Sequence, residues 1–496
     1  SEMCIRDSPG LARQPVMYLG LDLGTSALKA LLLAPDHRVV AQVERGLSVS
    51  TPHPLWSEQD PADWEAALLS ALDELAEREP ATMRAVRGIG LSGQMHGAVA
   101  LDAAHRPLRP AILWNDGRSA AACAALDEAC PHAPALTGNR AMPGFTAPKL
   151  LWMARHEPDL FARIALVLLP KDYLRLCLTG AAISDMSDAS GTFWLDVGRR
   201  DWSDELLAVS GMRRKQMPDL AEGSDVAGRL RPALAARWGM GAEVIIAGGG
   251  GDNAASAVGM GIVRPGQGFL SLGTSGVIFR ATEGFAPNAE ACIHAFCHAL
   301  PGRWHQMSVM LSAAASLRWV TRLTGRADEA ALLAEIAALR PEERAAAPLF
   351  LPYLTGERTP HNSATARGAW LGLGQDHGPA ALGYAVLEGV AFGLRDGLLA
   401  LGEGAGAQGL LLVGGGSRSP LWNQMLADIL GVPLHLAEGG EAAGALGAAR
   451  LAWLADGGAE EEICRAPAVR EVFSPQAGLN MARYQRFRAA FAASGL

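Results

Sequence analysis

Apolar residues occur in short blocks along most of the chain, and many of these blocks are followed by a turn that contains glycine. Residues 17–33 form two such blocks joined at Gly24-Thr25, which predicts a β-hairpin, and residues 38–50 predict a third strand. In residues 61–77 the apolar positions instead recur every three or four residues, which predicts an amphipathic helix. This alternation of strands and helices is typical of an α/β fold.

Further apolar blocks end directly in loops that carry glycine or polar residues, and they lie at 86–91, 166–169, 244–247 and 410–413. Such strand ends are where α/β proteins place their ligands. After the last block, glycines at 414–416 precede a helix with Ser419 as its N-cap, Pro420 at its first position and Gly431 past its end. A glycine turn at a helix N-terminus predicts a nucleotide site. A helix of small residues is predicted at 441–455.

One hexapeptide is repeated half a chain apart. Leu-Asp-Leu-Gly-Thr-Ser at 21–26 returns as Leu-Ser-Leu-Gly-Thr-Ser at 270–275, each time between two apolar strands. The backbone N–H groups and hydroxyls of such a turn can hold phosphate oxygens, which makes candidate nucleotide-binding residues of Thr25, Ser26, Gly273 and Thr274. The repeat predicts two similar domains that face each other across a cleft, although a common turn sequence is the simpler alternative.

The two copies differ at one position that matters for chemistry. Asp22 in the first copy is Ser271 in the second. A carboxylate suits a phosphate that is bound to Mg²⁺, whereas a hydroxyl suits direct contact with phosphate. Asp22 is therefore the candidate metal residue, with a turn-stabilising aspartate as the alternative.

Composition excludes several classes of function. Hydrophobic residues make up 49% of the chain and charged residues 19%, which is typical of a folded protein with large cores. The net charge is −8 and there is no Lys/Arg run, so neither nucleic acid nor an anionic membrane is expected as a partner. The seven cysteines contain no CxxC pair, and no apolar stretch is long enough to span a bilayer; a cytoplasmic protein is expected.

The ends of the predicted domains follow from breaks in the pattern. Residues 1–16 are polar and lack the apolar region of a signal peptide, so we expect a non-native or disordered extension, with a short ordered arm as the alternative. Glycines and Pro265 at 261–268 indicate the domain junction. The prediction is an N-terminal sugar-binding domain at 17–262 and a C-terminal nucleotide-binding domain at 263–496.

Asp252 is the strongest candidate for catalysis. It follows four glycines at the end of the predicted strand 244–247, so its carboxylate is expected to point into a cleft. A carboxylate in that position can accept the proton of a hydroxyl group that attacks a phosphoryl group. The alternative is that Asp252 only caps a helix beginning at Asn253, which does not require four glycines.

Other polar residues near strand ends are candidates for ligand binding. Met95 and His96 lie in a glycine-flanked loop, although His96 by itself could equally be a packed histidine. Asn115, in the loop 114–118, offers an amide suited to sugar hydroxyls, with an exposed polar turn as the alternative. Asn253 beside the predicted base is a further candidate for the sugar, and Asn423 in the helix after the glycine turn for the nucleotide.

Taken together, these motifs resemble the FGGY carbohydrate kinases, from Met17 almost to the C-terminus. Gly-Phe-Thr-Ala-Pro-Lys-Leu-Leu-Trp at 144–152 is similar to a family signature. The segments similar to the branch of that family that acts on D-xylulose lie at 56–61, 93–97, 113–118 and 356–362. Several motifs in the right order are more specific than any one of them.

The resemblance implies two actin-like domains of the ribonuclease-H type around a central interdomain cleft. It implies ATP-dependent phosphorylation of D-xylulose at O5 in pentose catabolism, with Mg²⁺, and it leaves a homodimer open. The roles it implies are a base at Asp252, sugar binding at Met95 and His96, a magnesium-side carboxylate at Asp22, a phosphate contact at Thr274 and a nucleotide turn at Gly415 and Gly416. Relatives typically have three glycines before the base, whereas this chain has four.

Two alternatives stay open at this point. Within the same class, the substrate could be ribulose, gluconate or glycerol. In a different class, non-catalytic ATP-binding proteins related to actin and Hsp70 share the duplicated-domain plan. That class has no role for the loops at 94–97 and 114–118.

Overall fold

The computed structural model describes residues 16–494 apart from 477 and 479. The N-terminal extension predicted at 1–16 therefore lies outside the described residues, except for Val16. Val16 packs, partly buried, against a core cluster that contains Tyr18 and Leu31.

The strands, numbered in chain order, are β1 (Met17–Leu23), β2 (Ala27–Leu33), β3 (Val39–Gly46), β4 (Glu58–Gln59), β5 (Val86–Gly93), β6 (Val99–Leu101), β7 (Ala111–Ile112), β8 (Leu166–Leu168), β9 (Ile183–Asp185), β10 (Leu195–Asp196), β11 (Asp201–Trp202), β12 (Asp219–Ala221), β13 (Val226–Arg229), β14 (Ile245–Ala247), β15 (Gly250–Gly251), β16 (Gly268–Leu272), β17 (Gly276–Thr282), β18 (His294–Cys297), β19 (Trp304–Met310), β20 (Leu349–Leu351), β21 (Ala369–Leu371), β22 (Leu410–Val413), β23 (Leu434–Ala437) and β24 (Val469–Phe473).

The helices are α1 (Pro61–Arg78), α2 (Pro80–Arg84), α3 (Ala120–Ala129), α4 (Ala133–Thr137), α5 (Thr146–His156), α6 (Pro158–Phe161), α7 (Pro170–Thr179), α8 (Met186–Ala189), α9 (Asp204–Val209), α10 (Pro232–Arg237), α11 (Asp252–Gly259), α12 (Ala314–Leu323), α13 (Glu329–Ala337), α14 (Pro341–Ala346), α15 (Pro379–Ala400), α16 (Pro420–Leu430), α17 (Ala443–Ala455), α18 (Glu460–Ile463) and α19 (Met481–Ser494). No helix among them is long and apolar enough to cross a membrane.

Two large sheets are built on the same plan. The first has the order β13-β14-β5-β1-β2-β3 with β15 on β5, and the second has the order β18-β19-β17-β16-β22-β23-β24. In each, the hairpin that carries the repeated hexapeptide (β1–β2, β16–β17) is antiparallel, and its first strand pairs in parallel with a strand from later in the chain, β5 or β22. The predicted duplicated α/β fold is confirmed.

Most predicted elements are present, with small differences at their ends. Helix α16 begins as predicted: the Ser419 side chain accepts a hydrogen bond from the Trp422 N–H, and Gly431 ends the helix at φ +74°. Strand β3 is shorter than the predicted 38–50. Helix α17 begins at Ala443 rather than at 441, because residues 440–442 form a 3₁₀ turn.

Helices α11 and α17 cross between the two sheets. The face of α17 lies directly on the first sheet: a Cβ on Gly20 or Gly90 would fall 1.8 Å from a carbonyl oxygen of that helix. Ala257 of α11 shares a core cluster with Phe269 of the second sheet. The two helices also touch each other closely, since a Cβ on Gly447 would lie 1.7 Å from the Ala255 carbonyl oxygen. A helix from the second half of the chain thus completes the core under the first sheet.

Candidate active site

The glycine run before Asp252 is required by packing. A Cβ on Gly248 would lie 2.1 Å from the Glu222 carbonyl oxygen, and Gly249 has φ +77°, which favours glycine. Gly250 and Gly251 form β15, which pairs in parallel with the end of β5. The strand end is therefore held tightly by its neighbours and by β5.

Helix α11 begins at Asp252 itself, with Gly251 as its N-cap. Asp252 Oδ1 accepts hydrogen bonds from the Asn253 backbone N–H at 2.7 Å and from Asn253 Nδ2 at 2.9 Å. Among the described residues, no other group donates to this carboxylate. Asn253 therefore orients Asp252, and its amide nitrogen is already engaged in that contact.

Asp22 lies on β1 beside the end of β5. Its Oδ1 accepts a hydrogen bond from Ser92 Oγ at 2.9 Å, and the Gly444 backbone of α17 lies against the carboxylate, where a Cβ would be 2.7 Å from Oδ2. Burial raises the pKa of Asp22. Burial and, second, the negative charge of Asp22 raise the pKa of Asp252 to about 6. The two carboxylates therefore lie close enough to repel each other.

Met95 packs against the backbone directly before Asp252, and His96 follows it in the same loop. A Cβ on Gly251 would be 2.9 Å from Met95 Sδ, so Met95 forms a wall beside the residue that precedes Asp252. His96 Nδ1 lies 2.7 Å from the Gly191 carbonyl oxygen. Because a carbonyl only accepts, Nδ1 carries the proton and Nε2 is left as an acceptor. Burial lowers the pKa of His96 to about 3, which keeps the ring neutral at physiological pH.

The start of helix α5 fixes the backbone of His96. The His96 carbonyl oxygen accepts hydrogen bonds from Thr146 Oγ1 at 3.1 Å and from Lys149 Nζ at 2.8 Å. Lys149 also donates to the Gly144 carbonyl oxygen at 2.7 Å, and burial lowers its pKa well below the usual value. The Gly-Phe-Thr-Ala-Pro-Lys motif thus holds the loop that carries His96.

The second domain contributes side chains to this region that sequence reasoning did not single out. The rings of Phe145 and His294 lie 5.8 Å apart, and that of Phe296 lies 6.1 Å from the His96 ring. Arg358 Nη1 lies 3.2 Å from His294 Nε2. Arg358 belongs to the motif at 356–362, which was the available signal. His294 has no local signal, because only folding brings β18 beside the loop 95–97.

The turn of the first hairpin is occupied by a network of side chains. Thr25 Oγ1 donates to Gln94 Oε1 at 2.9 Å and accepts from Trp114 Nε1 at 2.9 Å. Gln59 Nε2 donates to the Thr25 carbonyl oxygen at 2.7 Å. The Thr25 hydroxyl is thus already engaged, and the Gly24 N–H donates to the Ala27 carbonyl oxygen. The donors that this turn offers to a phosphate are therefore the N–H groups of Thr25 and Ser26 and the exposed Ser26 hydroxyl.

Asn115 and Asp116 have different surroundings. Asn115 is exposed and lines a shallow cavity with His53 and Trp56. Asp116 is buried and accepts hydrogen bonds from the Ser57 N–H at 2.6 Å and from Arg118 Nη2 at 2.7 Å. Both oxygens of Asp116 therefore already accept hydrogen bonds, and this residue is not a competitor of Asp252 for the role of the base.

A cavity of about 630 Å³ in the second domain collects most of the predicted nucleotide-binding residues. Gly273, Thr274, Gly415 and Gly416 line it, together with Leu317 and Arg318 of α12 and Leu333 of α13. Thr274 Oγ1 accepts a hydrogen bond from Arg318 Nη2 at 2.9 Å. Glycines, a guanidinium group and two leucines suit a ligand with both phosphate groups and a flat apolar part.

Asn423 does not line this cavity. Its Nδ2 donates to the Ser417 carbonyl oxygen at 2.8 Å, and the residue borders a neighbouring cavity, which shares Arg418 with the first and includes Glu438. The prediction placed Asn423 beside the nucleotide because it lies in the helix after the glycine turn. In the folded chain its side chain points back and holds that turn.

Comparison with known proteins matches both halves of the chain to one protein family. The model of the FGGY family of carbohydrate kinases matches its N-terminal domain to residues 17–259 and its C-terminal domain to residues 268–455. Xylulose kinase of Escherichia coli (strain K12) is 54% identical over 440 residues, which cover 88% of this chain and 90% of that protein.

Solved structures agree with the sequence comparison. A "xyloylose kinase" from Brucella ovis has a TM-score of 0.92 at 52% identity and covers 96% of this chain and 99% of its own. A xylulose kinase from Rhodospirillum rubrum has a TM-score of 0.88 at 29% identity and covers 96% of this chain and 98% of its own.

Proposed function

The chain belongs to the FGGY family of carbohydrate kinases, and we propose that it transfers the γ-phosphoryl group of ATP to O5 of D-xylulose. As a sugar kinase it uses ATP as the phosphoryl donor. The choice of D-xylulose is supported by the names of its relatives at 54% and 29% identity. The observation that carries the proposed chemistry is the partly buried carboxylate of Asp252, which directly follows the Gly251 backbone packed on Met95 and lies near Asp22.

Asp252 has the properties of a general base for this reaction. Its pKa of about 6 leaves it ionised at neutral pH, yet close enough to neutrality to accept a proton efficiently. As O5 attacks the γ-phosphorus, the new O5–P bond forms and the bond from phosphorus to the β,γ-bridging oxygen breaks. The O5 proton goes to Asp252 and ADP leaves with the electron pair.

His96 would bind the sugar as a neutral acceptor. Its Nε2 is free because Nδ1 donates to the Gly191 carbonyl oxygen, so a sugar hydroxyl can donate to it. Met95 would pack against the carbon chain of the sugar, and the exposed amide of Asn115 is proposed to bind a hydroxyl at the entrance.

The carboxylates of Asp22 and Asp252, both partly buried, fit a divalent cation. Asp22 has one side-chain hydrogen-bond donor, Ser92, and it repels Asp252, so a cation bound there would relieve the repulsion. We propose that Asp22 holds Mg²⁺ directly or through water, since oxygen ligands suit this ion. When bound, Mg²⁺ neutralises charge on the transferring phosphoryl group.

The turns at 24–26 and 273–274 would then hold the phosphates from opposite domains. Gly415 and Gly416 are proposed to contact the nucleotide by their backbone, and Thr274 by its hydroxyl. Because each domain supplies only part of the site, closure of the two domains would exclude water from the reacting groups. We also propose a cytoplasmic location and leave a homodimer to be tested by sedimentation.

An ADP-release assay over D-xylulose, D-ribulose, L-ribulose, gluconate and glycerol tests the substrate. The expected result is at least tenfold higher kcat/KM for D-xylulose than for any other compound, with little ADP release without sugar. A higher kcat/KM for another compound would show that this compound, and not D-xylulose, is the preferred substrate. ADP release independent of any sugar would overturn sugar phosphorylation and favour an actin-like or Hsp70-like ATPase.

A further inference from the structure

A cluster of five charged side chains, which we call the buried cluster, lies behind the glycine run and is not used by the proposed chemistry. Lys171, Asp172, Arg175, Asp185 and Asp188 are all completely buried. Lys171 Nζ lies 2.6 Å from Asp172 Oδ1, 2.6 Å from Asp185 Oδ1 and 3.2 Å from Asp188 Oδ2. Arg175 Nη1 lies 2.7 Å from Asp172 Oδ1.

The buried cluster is an ion-pair network and not a metal site. Its three aspartates bring carboxylate oxygens within 4.8 Å of one another, which by itself would suit a cation. The Lys171 ammonium group already lies in contact with all three carboxylates. A network of this kind adds little to stability, because the cost of burying the charges offsets much of their attraction. The network does hold its members in one geometry, because a buried charge whose partner moves away is left unpaired at a large cost in free energy.

The buried cluster reaches the glycine run at both of its ends. At the first end, Arg175 Nη2 donates to the Gly248 carbonyl oxygen. At the other end, Ser187 Oγ accepts a hydrogen bond from the Gly251 N–H at 3.0 Å and donates its own proton to Asp185 Oδ2. Asp185 in turn contacts Lys171. A chain of contacts therefore runs from Lys171 to the residue immediately before Asp252.

We propose that Ser187, held by Asp185 and Lys171, is a positioning residue for Asp252; this inference rests on the proposed role of Asp252 as the base. Gly251 pairs with Gly93 of β5, but it has no side chain to restrict its backbone further, so the hydrogen bond from its N–H to Ser187 is an additional restraint directly before Asp252. A shift of about 1 Å at a reacting group can reduce turnover by about 10²-fold. Ser187 would thus act on kcat through Gly251, without touching either substrate.

The chain offers a matched control for this proposal. Ser184 is also buried, and its Oγ donates to Asp172 Oδ2 at 2.7 Å within the same cluster. Ser184 makes no hydrogen bond to the glycine run among the described contacts. Ser187→Ala and Ser184→Ala therefore each remove one hydroxyl and its hydrogen bond to a buried aspartate. Only Ser187→Ala also removes the hydrogen bond to the Gly251 N–H.

We expect Ser187→Ala to lower kcat by about 10–100-fold with both KM values within twofold of the parent. Ser184→Ala should leave kcat within threefold, and Ser187→Thr, which keeps the hydroxyl, should restore most of the activity. Hydrogen exchange of the peptide containing residues 248–252 should accelerate in Ser187→Ala only. If Ser187→Ala does not fold, Ser187→Cys, whose thiol is a weak acceptor, should show the same fall in kcat.

Two results separate this proposal from the proposed function. Combined with Asp252→Asn, Ser187→Ala should lower turnover no further, because it acts only through that carboxylate. Near-parental turnover in the single variant Asp252→Asn would show that Asp252 is not the base and would overturn that part of the proposed function. With Asp252→Asn inactive, equal kcat values for the Ser187→Ala (or Ser187→Cys) and Ser184→Ala variants would overturn the positioning role of Ser187.

Discussion

Asp22 lies near Asp252 because β1, which carries Asp22, and β15, which immediately precedes Asp252, both pair with β5. Asp22 on β1 lies opposite Ser92, and Gly251, which immediately precedes Asp252, lies opposite Gly93. Neighbouring positions on one central strand thus bring a carboxylate from the first hairpin to the carboxylate at the start of α11. Burial is the main cause of the raised pKa of Asp252, and the negative charge of Asp22 raises it further.

Asp252→Asn should separate catalysis from folding. The amide keeps the shape of the side chain but cannot accept the O5 proton, so kcat should fall by about 10²–10⁴-fold while sugar and ATP affinities change little. Removing a buried negative charge that repels Asp22 should also raise Tm at pH 7.5, by about 2 °C. ADP-release kinetics and thermal unfolding measure both effects. A folded variant with near-parental turnover would show that the base lies elsewhere.

The activity should show an acid limb near pH 6. Below its pKa of about 6 Asp252 is protonated and cannot act as a base, so kcat/KM for D-xylulose should fall tenfold per pH unit. A kcat/KM that stays constant between pH 7 and pH 5 would contradict this role of Asp252, and the variant Asp36→Asn, at an exposed position, is the control that should leave the acid limb in place.

The interaction of Asp252 with Asp22 should also make the stability of the folded protein depend on pH. Because the folded-state pKa of Asp252 lies above the unfolded value, the folded protein loses stability as pH rises from about 4 through 6. Asp22→Asn should make this loss smaller. The pH dependence of Tm for both proteins tests this even if Asp22→Asn has no measurable turnover, and unchanged slopes would contradict the interaction.

His96→Gln should weaken sugar binding without affecting ATP. The change disturbs the neutral acceptor that we propose for a sugar hydroxyl, and losing such a hydrogen bond costs about 1–1.5 kcal/mol, or roughly tenfold in KM for D-xylulose. Since the pKa of His96 is about 3, the parent should show no titration of this ring between pH 5 and 8. His105→Gln, on an exposed turn, serves as the control. Equal effects on both KM values would argue against a sugar contact.

Gly415→Ala and Gly416→Ala should fail in different ways. A Cβ on Gly415 has no heavy atom within 4 Å, so the fold accepts alanine there and only the bound nucleotide is obstructed. KM for ATP should rise at least tenfold with Tm unchanged. A Cβ on Gly416 would lie 2.6 Å from Leu272 Cγ, and this variant should lose stability as well. An unchanged KM for ATP in Gly415→Ala would remove Gly415 from the nucleotide site.

Gly447→Ala should be strongly destabilising. A Cβ there would fall 1.7 Å from the Ala255 carbonyl oxygen, so α11 and α17 would have to separate, at a cost of about 3 kcal/mol or more. Gly241→Ala, whose Cβ would meet nothing within 4 Å, is the matched control. Denaturant unfolding of the two variants measures the difference. Equal stabilities would mean that the crossing of the two helices is loosely packed.

Local patterns in the sequence were sufficient for the elements and for the strongest candidates. The repeated hexapeptide predicted two equivalent hairpins, and β1–β2 and β16–β17 confirm them with the same pairing. Ser419, Pro420 and Gly431 predicted the ends of α16 because capping depends on residues within one turn. Asp252 stood out for a similar reason: a carboxylate after a glycine run at a strand end is a local arrangement.

Only the tertiary structure decided the contacts between distant parts of the chain. In the folded chain the Thr25 hydroxyl forms hydrogen bonds with Gln94 and Trp114, and the Asn423 side chain donates to Ser417. The buried cluster lies behind Gly251 and contacts it through Ser187. It also laid α17, from the second half, on the first sheet. Such contacts leave no periodic signal, because which side chains meet depends on how strands pair and helices cross, and not on neighbours in the sequence.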